Sequence, residues 1–182
     1  MDSIDREQSE GSRENLVGGD AVDRIRNAVH QAETCFFCTH AASGDSAGVR
    51  PMAVREVDEA GSLWFLSADD SHKNRELESD SRVDLYFQGS PHSDFLHLTG
   101  HAVVSRDKER IKALWSPVIK TWFTEGVDDP RITVIKVMPS AGYYWDTKHG
   151  NAVAGIKMLI GAATGKTLDD SVQGSVTPGA RA

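Results

Sequence analysis

The sequence lacks an excess of positive charge, a long apolar run and a leader-like start, and each absence excludes a class of protein. Its formal net charge of −7 argues against a general nucleic-acid-binding protein, because such proteins contact phosphates through many lysine and arginine side chains. No apolar run approaches the roughly 20 residues that a membrane-spanning helix requires. The first residues, MDSIDREQSE, are acidic and polar, unlike a signal peptide. We therefore expect a soluble, cytoplasmic protein without nucleic-acid or membrane partners.

Cysteine is scarce, and the cysteine and histidine side chains do not predict a metal site. The two cysteines, Cys35 and Cys38, lie in TCFFCTH, which has the CxxC spacing of many metal and redox sites. The run is typical of a β-strand, in which residues three apart face opposite sides, so the two thiols cannot share a metal or a disulfide there. Buried free thiols are the expected state. The histidines without metal-ligand spacing are expected at the surface or at an interface: His40, His92, His97 and His101.

No catalytic motif is recognised either. The sequence has no nucleophile motif of the GxSxG type. The run GAATGKT is not a typical phosphate-binding loop, because three residues separate Gly161 and Gly165 where the loop needs four, and a helix-like run precedes it. The catalytic residues are therefore unknown from the sequence.

The overall composition, with 39% hydrophobic and 26% charged residues, indicates one globular domain with tails. Residues 1–19 carry few apolar side chains and many charges, which predicts a disordered N-terminal tail. The folded domain is expected over residues 20–160, and residues 161–182 are expected to form a flexible C-terminal tail.

Helical periodicity is clear in DAVDRIRNAVHQAE, which predicts an amphipathic helix with Asp20 as its N-cap. Two shorter helices are predicted at SHKNRELES and at DKERIKALW, the second ending before Pro117. A further short helix is predicted near the carboxyl end, through Val153, Ile156 and Ile160.

Most of the remaining domain alternates between strand-like runs and short turns. The runs are TCFFCTH, VRPMAVREV, SLWFLS, RVDLYFQ, FLHLTGHAVVS and RITVIKVM. Consecutive strands joined by short turns predict an antiparallel meander, and five or more such strands usually close into a barrel or a sandwich. The predicted fold class is mainly β, of the α+β type.

The order of THAASGDSAGVRPM, LWFLSADDSHKNREL, RVDLYFQ and FLHLTGHAVV resembles the pyridoxamine 5′-phosphate oxidase-like flavin-binding proteins. The run LWSPVIKTWFTEGVDDPRITVIKVMPSAGYYWD looks like the bacterial general stress protein branch of that superfamily. The resemblance covers roughly residues 20–160 and implies a six-stranded antiparallel split β-barrel with flanking helices. It also implies FMN, with FAD as a possible substitute, bound in a groove between the two subunits of a homodimer.

The resemblance assigns the flavin phosphate to Arg50 on the second strand and to Ser71, His72 and Lys73 at the start of the short helix. Free N–H groups and the helix dipole favour an anion at that position. The alternative from the residues alone is that Asp69 or Asp70 caps the helix, while His72 and Lys73 face water.

Other positions are implied to border the flavin ring and ribityl chain: Pro51, Met52, Phe65, Leu66 and Ser67, with Trp145 approaching the site. The residues themselves leave an alternative open, since LWFL is equally typical of a buried core strand. Trp115 and Trp122 are expected to serve in packing.

The sequence departs from the true oxidase at three places. His72 replaces the usual arginine, Phe95 lies near a position that is a glutamine in the oxidase, and the C-terminal VTPGARA lacks the substrate-binding arginine and proline motif. Vitamin B6 oxidation is therefore disfavoured. One expectation is a flavin-dependent oxidoreductase. The alternative is a non-enzymatic flavin carrier or sensor, or a split barrel that binds another phosphorylated cofactor such as pyridoxal phosphate.

Overall fold

The computed structural model describes residues 13–40, 48–91, 93–147 and 171–179. Over these residues the chain forms three α-helices and nine strands. In chain order they are β1 (Leu16–Val17), α1 (Gly18–Ala32), β2 (Thr34–Thr39), β3 (Val49–Ala53), β4 (Glu56–Val57), β5 (Leu63–Ala68), α2 (His72–Ser79), β6 (Arg82–Gln88), β7 (Phe95–Ser105), α3 (Lys108–Leu114), β8 (Ile132–Thr147) and β9 (Ser171–Thr177). Two short 3-10 helices, Pro117–Thr121 and Gly126–Asp128, lie between α3 and β8.

One sheet contains all of these strands in the hydrogen-bonded order β1-β9-β8-β7-β6-β2-β3, and β5 pairs with β8 and β4. Every pair is antiparallel except β1 with β9, which is parallel. The predicted mainly β architecture with flanking helices is confirmed, although the described strands number nine rather than six. Strand β3 is an edge of the sheet within the described chain.

Strand β8 is long enough to join two parts of the sheet. Its residues 132–137 pair with β5, and its residues 142–147 pair with β9, while β7 runs beside both stretches. The β7–β8 register shifts between Thr99 and Gly100. A Cβ on Gly100 would lie 2.4 Å from the Met138 carbonyl oxygen, so only glycine allows the two strands to approach this closely there.

The described residues form two hydrophobic core clusters. The larger fills the barrel, where Ile25 of α1 packs above the strands and the Phe37 and Phe65 rings meet edge to face with centroids 5.3 Å apart. The smaller lies beneath α3, where Ile111 and Leu114 pack against the first part of β8. Burial of each such side chain stabilises the fold by roughly 1.5–3 kcal/mol. The alternation of apolar residues along the strands therefore determines which face of the sheet points inward.

Several sequence-based expectations need correction. Helix α1 begins at Gly18 with Val17 as its N-cap, so Asp20 lies in the first turn and the prediction that it caps the helix is wrong. The predicted run VRPMAVREV divides into β3 and β4 because the amides that follow β3 bond elsewhere: Val54 N–H donates to the Glu33 carbonyl and Arg55 N–H donates to the Trp64 carbonyl.

The ends of the described chain are more ordered than the sequence predicts. Strand β9 pairs with β8 and buries Val176 completely, so the prediction of a flexible tail is wrong for residues 171–177. Strand β1 likewise lies inside the predicted N-terminal tail and pairs with β9. The predicted C-terminal helix and the GAATGKT segment lie outside the described residues. No helix in the described part of the chain has the length and apolar character needed to cross a membrane.

Candidate functional site

The start of α2 is built around Ser71 rather than around an aspartate. Ser71 is the N-cap, and its hydroxyl accepts a hydrogen bond from Asn74 N–H at 3.4 Å. Asp69 instead forms an ion pair with Arg106 at 2.7 Å. The alternative in which Asp69 or Asp70 caps the helix is therefore wrong, and the first turn of α2 contains no acidic residue.

Arg50 is oriented toward α2 by a buried carboxylate. Its Nη1 donates to Glu76 Oε2 at 2.7 Å, and the Thr39 hydroxyl donates to the same oxygen at 2.5 Å. The Glu76 side chain is completely buried, while that of Arg50 is 19% exposed. The salt bridge fixes the guanidinium on the inward side of β3, beside the first turn of α2.

Lys73 lies close enough to Arg50 for the two charges to repel each other. Burial and, second to it, the Arg50 charge lower the pKa of Lys73 to about 8, with Glu76 and Asp70 acting in the opposite direction. We call Arg50, Ser71, His72 and Lys73 the cation cluster. The structure brings these four predicted phosphate-site residues to one place, with His72 the most exposed of them.

The residues predicted to border the flavin ring divide into buried and accessible groups. Phe65 and Ser67 are buried: Phe65 packs against Phe37, and the Ser67 hydroxyl donates to Asn74 Oδ1 at 2.9 Å. Leu66 packs against the smaller core cluster and Met52 against the larger one. The side chains of these four residues thus serve packing, and their contact with a flavin stays a prediction.

Pro51 and Trp145, the other two predicted ring contacts, line a groove on the outer face of the sheet. The groove has a volume of about 640 Å³, within the range typical of small-molecule sites. We call it the aromatic groove, and its main side chains come from β2, β3, β6, β7 and β8: Phe36, Pro51, Tyr86, Phe95, His97 and Trp145. The signal for this groove in the sequence was the set of aromatic residues at outward-facing positions of the neighbouring strands β2, β6, β7 and β8.

One polar network borders the aromatic groove. The Asp84 carboxylate accepts a hydrogen bond from His97 Nε2 at 2.7 Å through one oxygen and from His40 Nε2 at 2.7 Å through the other. The His97 ring stacks on Tyr86, with centroids 4.5 Å apart and planes 3° apart. Sequence reasoning missed this network because its members come from β6, from β7 and from the residue after β2, and the sequence does not reveal the register of these strands.

The cysteines are free, and β2 directs them to opposite faces as predicted, with Cys35 buried and Cys38 half-buried. Burial raises the pKa of Cys35 to about 12, so this thiol stays protonated at neutral pH. Among the described residues, no group of three histidine, cysteine, aspartate or glutamate side chains has the geometry to hold a metal ion.

The cation cluster and the aromatic groove lie on the two sides of β3. Arg50 and Pro51 are consecutive in this strand, so their side chains point to opposite faces, Arg50 toward α2 and Pro51 into the groove. Each chain therefore carries the cation cluster and the aromatic groove on opposite sides of one edge strand.

The fold is shared with solved structures of stress proteins. A protein from Jannaschia sp. CCS1 described as general stress protein 26 aligns with a TM-score of 0.72 and 21% identity, over 87% of this chain and 98% of that chain. The general stress FMN/FAD binding protein from Xanthomonas citri aligns with a TM-score of 0.56 and 21% identity, over 65% of this chain and 84% of that chain. These likenesses confirm the predicted split-barrel fold.

Sequence comparison identifies the family. Protein bli-3 of Neurospora crassa is 30% identical over 110 residues, which are 55% of this chain, and the chain spans about half of that relative, 53% of its length. The model of the family described as pyridoxamine 5′-phosphate oxidase like matches residues 20–169, most of the chain. The chain therefore belongs to the pyridoxamine 5′-phosphate oxidase-like family.

Proposed function

We propose that this protein binds FMN and that the cation cluster holds the flavin phosphate. The observation that carries the proposal is the pairing of Arg50 with a half-buried Lys73 at the start of α2. The two cations lie close enough to repel each other, and an anion bound between them would offset that repulsion. The FMN/FAD binding protein from Xanthomonas citri and the family match support a flavin as the source of that anion.

The residues present fit a phosphate group. A cation and a phosphate charge about 4 Å apart gain roughly 4 kcal/mol at the effective dielectric of a protein surface, before desolvation is subtracted. The Ser71 hydroxyl and the unpaired N–H groups of the first turn of α2 add neutral donors for phosphate oxygens. Glu76 opposes the anion electrostatically, but it also holds Arg50 in position.

We further propose a homodimer in which each flavin contacts two copies of the chain. The cation cluster and the aromatic groove lie on opposite faces of β3, so one ligand reaches both most directly when a second copy supplies one of them. Exposed apolar side chains beside the groove support such a contact, with Phe36 58% exposed and Trp145 45% exposed.

A redox role is the activity we infer for the dimer. Bound flavin would supply electron transfer, and the described residues would bind and orient it. Turnover of NADH or NADPH by the flavin-loaded protein, followed by absorbance, separates an oxidoreductase from a flavin carrier or sensor.

Titration with FMN, followed by flavin fluorescence, tests the phosphate assignment. The Lys73→Ala variant is expected to bind FMN about tenfold more weakly or worse, because a charge-assisted hydrogen bond is lost. Lys112→Ala, on the exposed side of α3, is the matched control and should bind like the unmodified protein.

Riboflavin, which lacks the phosphate, makes the test specific. Its affinity should be the same for Lys73→Ala and for the unmodified protein. Equal FMN affinity in both proteins would contradict the phosphate assignment, and absence of binding by either ligand would contradict flavin binding itself.

A further inference from the structure

The network of His40, Asp84 and His97 has no part in the proposed phosphate site, yet it ends in the wall of the aromatic groove. The Asp84 side chain is 18% exposed and that of His97 is 28% exposed, so the pair is partly shielded from water while His97 stays accessible. Stacking on Tyr86 and the bond to Asp84 fix the imidazole ring in two directions. A ring held in this way is preorganised to contact a ligand.

The hydrogen bond to Asp84 decides which nitrogen His97 offers. An ionised carboxylate can only accept, so Nε2 of His97 must carry the proton that it shares with Asp84. The neutral imidazole then has a bare Nδ1, which is a hydrogen-bond acceptor and a proton acceptor. The same reasoning assigns the Nε2 proton of His40, because that nitrogen contacts the second Asp84 oxygen.

The rest of the groove selects the shape and charge of the ligand. Phe36, Tyr86, Phe95 and Trp145 offer ring faces or edges, which suit a planar aromatic molecule. No lysine, arginine, aspartate or glutamate is among its described lining residues. A phosphate or carboxylate would find no counter-charge there, whereas a neutral aromatic ring with one polar donor would.

We propose that the aromatic groove binds a phenol-class reactant, a planar aromatic molecule whose O–H group donates to Nδ1 of His97. In the proton-transfer step the O–H bond of the ligand breaks and a new N–H bond forms at Nδ1, which gives a phenolate beside an imidazolium. The negative charge of Asp84 balances the imidazolium. This step transfers a proton and no electrons.

The other groups around His97 are compatible with this role. Tyr86 and Asp84 on β6 contact it, and His40, the residue after β2, reaches it through Asp84. Tyr143 is its register partner on β8, and Cys38 is the register partner of Asp84 on β2. Asp84 is thus the only carboxylate among the described groups that face His97 from these strands.

This inference rests on the proposed function, because it names the class of reactant that would lie beside the flavin. Its test nevertheless needs no flavin. Protein free of flavin is titrated with 4-nitrophenol, whose phenolate absorbs visible light, at about pH 7, where the free compound is partly protonated and an ordinary imidazole is mainly neutral. We expect saturable binding with an increase in the phenolate band. The methyl ether 4-nitroanisole, which has no O–H group, should bind about tenfold more weakly.

Two variants on β7 distinguish the contribution of the His97 contact to 4-nitrophenol binding from a general effect of replacing a histidine on this strand. His97→Gln should bind 4-nitrophenol about tenfold more weakly and without the phenolate band. His101→Gln is the matched control, because His101 is exposed, contacts Ser81 and lies outside the groove. It should behave like the unmodified protein.

A third variant, Asp84→Asn, should keep 4-nitrophenol in the groove but reduce the phenolate band, because a neutral amide does not balance an imidazolium. The phosphate assignment is tested separately, by FMN titration of Lys73→Ala, so failure of that assignment and failure of this inference are distinguishable. The inference is overturned if the unmodified protein shows no saturable binding, or if His97→Gln binds equally well.

Discussion

At the scale of single residues, Lys73 links the proposed phosphate site to pH. The unfolded chain keeps the lysine proton up to about pH 10.5, whereas the folded protein loses it near pH 8. Between these values the unfolded state binds more protons, so raising the pH stabilises the fold. We therefore compare the free energies of unfolding of the unmodified protein and of Lys73→Met. Over this interval the value for the unmodified protein should rise relative to that of Lys73→Met by on the order of 2 kcal/mol.

Urea unfolding at several pH values measures this effect, and subtracting the Lys73→Met data removes the contribution of other titrating groups. A difference that is flat with pH would show that folding does not lower the pKa of Lys73.

Glu76 is the second residue whose role can be isolated. Replacing it with alanine removes the acceptor of both the Arg50 guanidinium and the Thr39 hydroxyl. Because a buried ion pair is broken, Glu76→Ala should lower the free energy of unfolding by about 2–4 kcal/mol. Glu78→Ala, at an exposed position of the same helix, should change it by less than about 0.5 kcal/mol. Similar effects of the two substitutions would contradict the structural role of Glu76.

The two halves of the site differ in how far the sequence could predict them. Ser71, His72 and Lys73 are consecutive, and their position at a helix start is visible in the chain itself. His97 and Asp84 meet only because β6 and β7 pair in one register. Such a register depends on the whole sheet, so a contact across strands is not readable from local patterns.

At the scale of elements, β9 is an integral part of the barrel. Val176 is fully buried opposite Gly142 of β8 and Leu16 of β1, so Val176→Ala should cost about 2 kcal/mol of stability through a cavity. Val17→Ala, on β1 and 41% exposed, is the matched control and should cost less than about 0.5 kcal/mol. Thermal unfolding measures both, and an unchanged midpoint for Val176→Ala would mean that β9 is dispensable.

The sequence predicted the central strands well because their apolar alternation is strong. It missed β9 because SVQGSVT is short and mostly polar, and only the neighbouring strands supply the partners that order it. It also missed the break between β3 and β4, which arises because Val54 and Arg55 bond to different segments.

At the scale of the whole molecule, the proposed homodimer makes a prediction about association. Phe36→Glu places a charge on the exposed apolar face, and we expect it to shift the protein from dimer to monomer because an unpaired charge would be buried at the contact. Val118→Glu is the matched control, since Val118 is 60% exposed on a 3-10 helix away from the groove. Sedimentation equilibrium distinguishes the two states, and a monomeric unmodified protein would contradict the proposal.

The proline in β3 affects how copies of this chain can aggregate. Val54 N–H points toward β2, where it donates to the Glu33 carbonyl. Backbone N–H groups alternate in direction along a strand, so the nitrogen of Pro51 faces the open edge. A proline nitrogen has no hydrogen to donate, so a foreign strand cannot extend the sheet continuously at this position. Growth by strand addition is thereby blocked at the edge that separates the two halves of the site, which favours a closed pair of molecules over an open fibre.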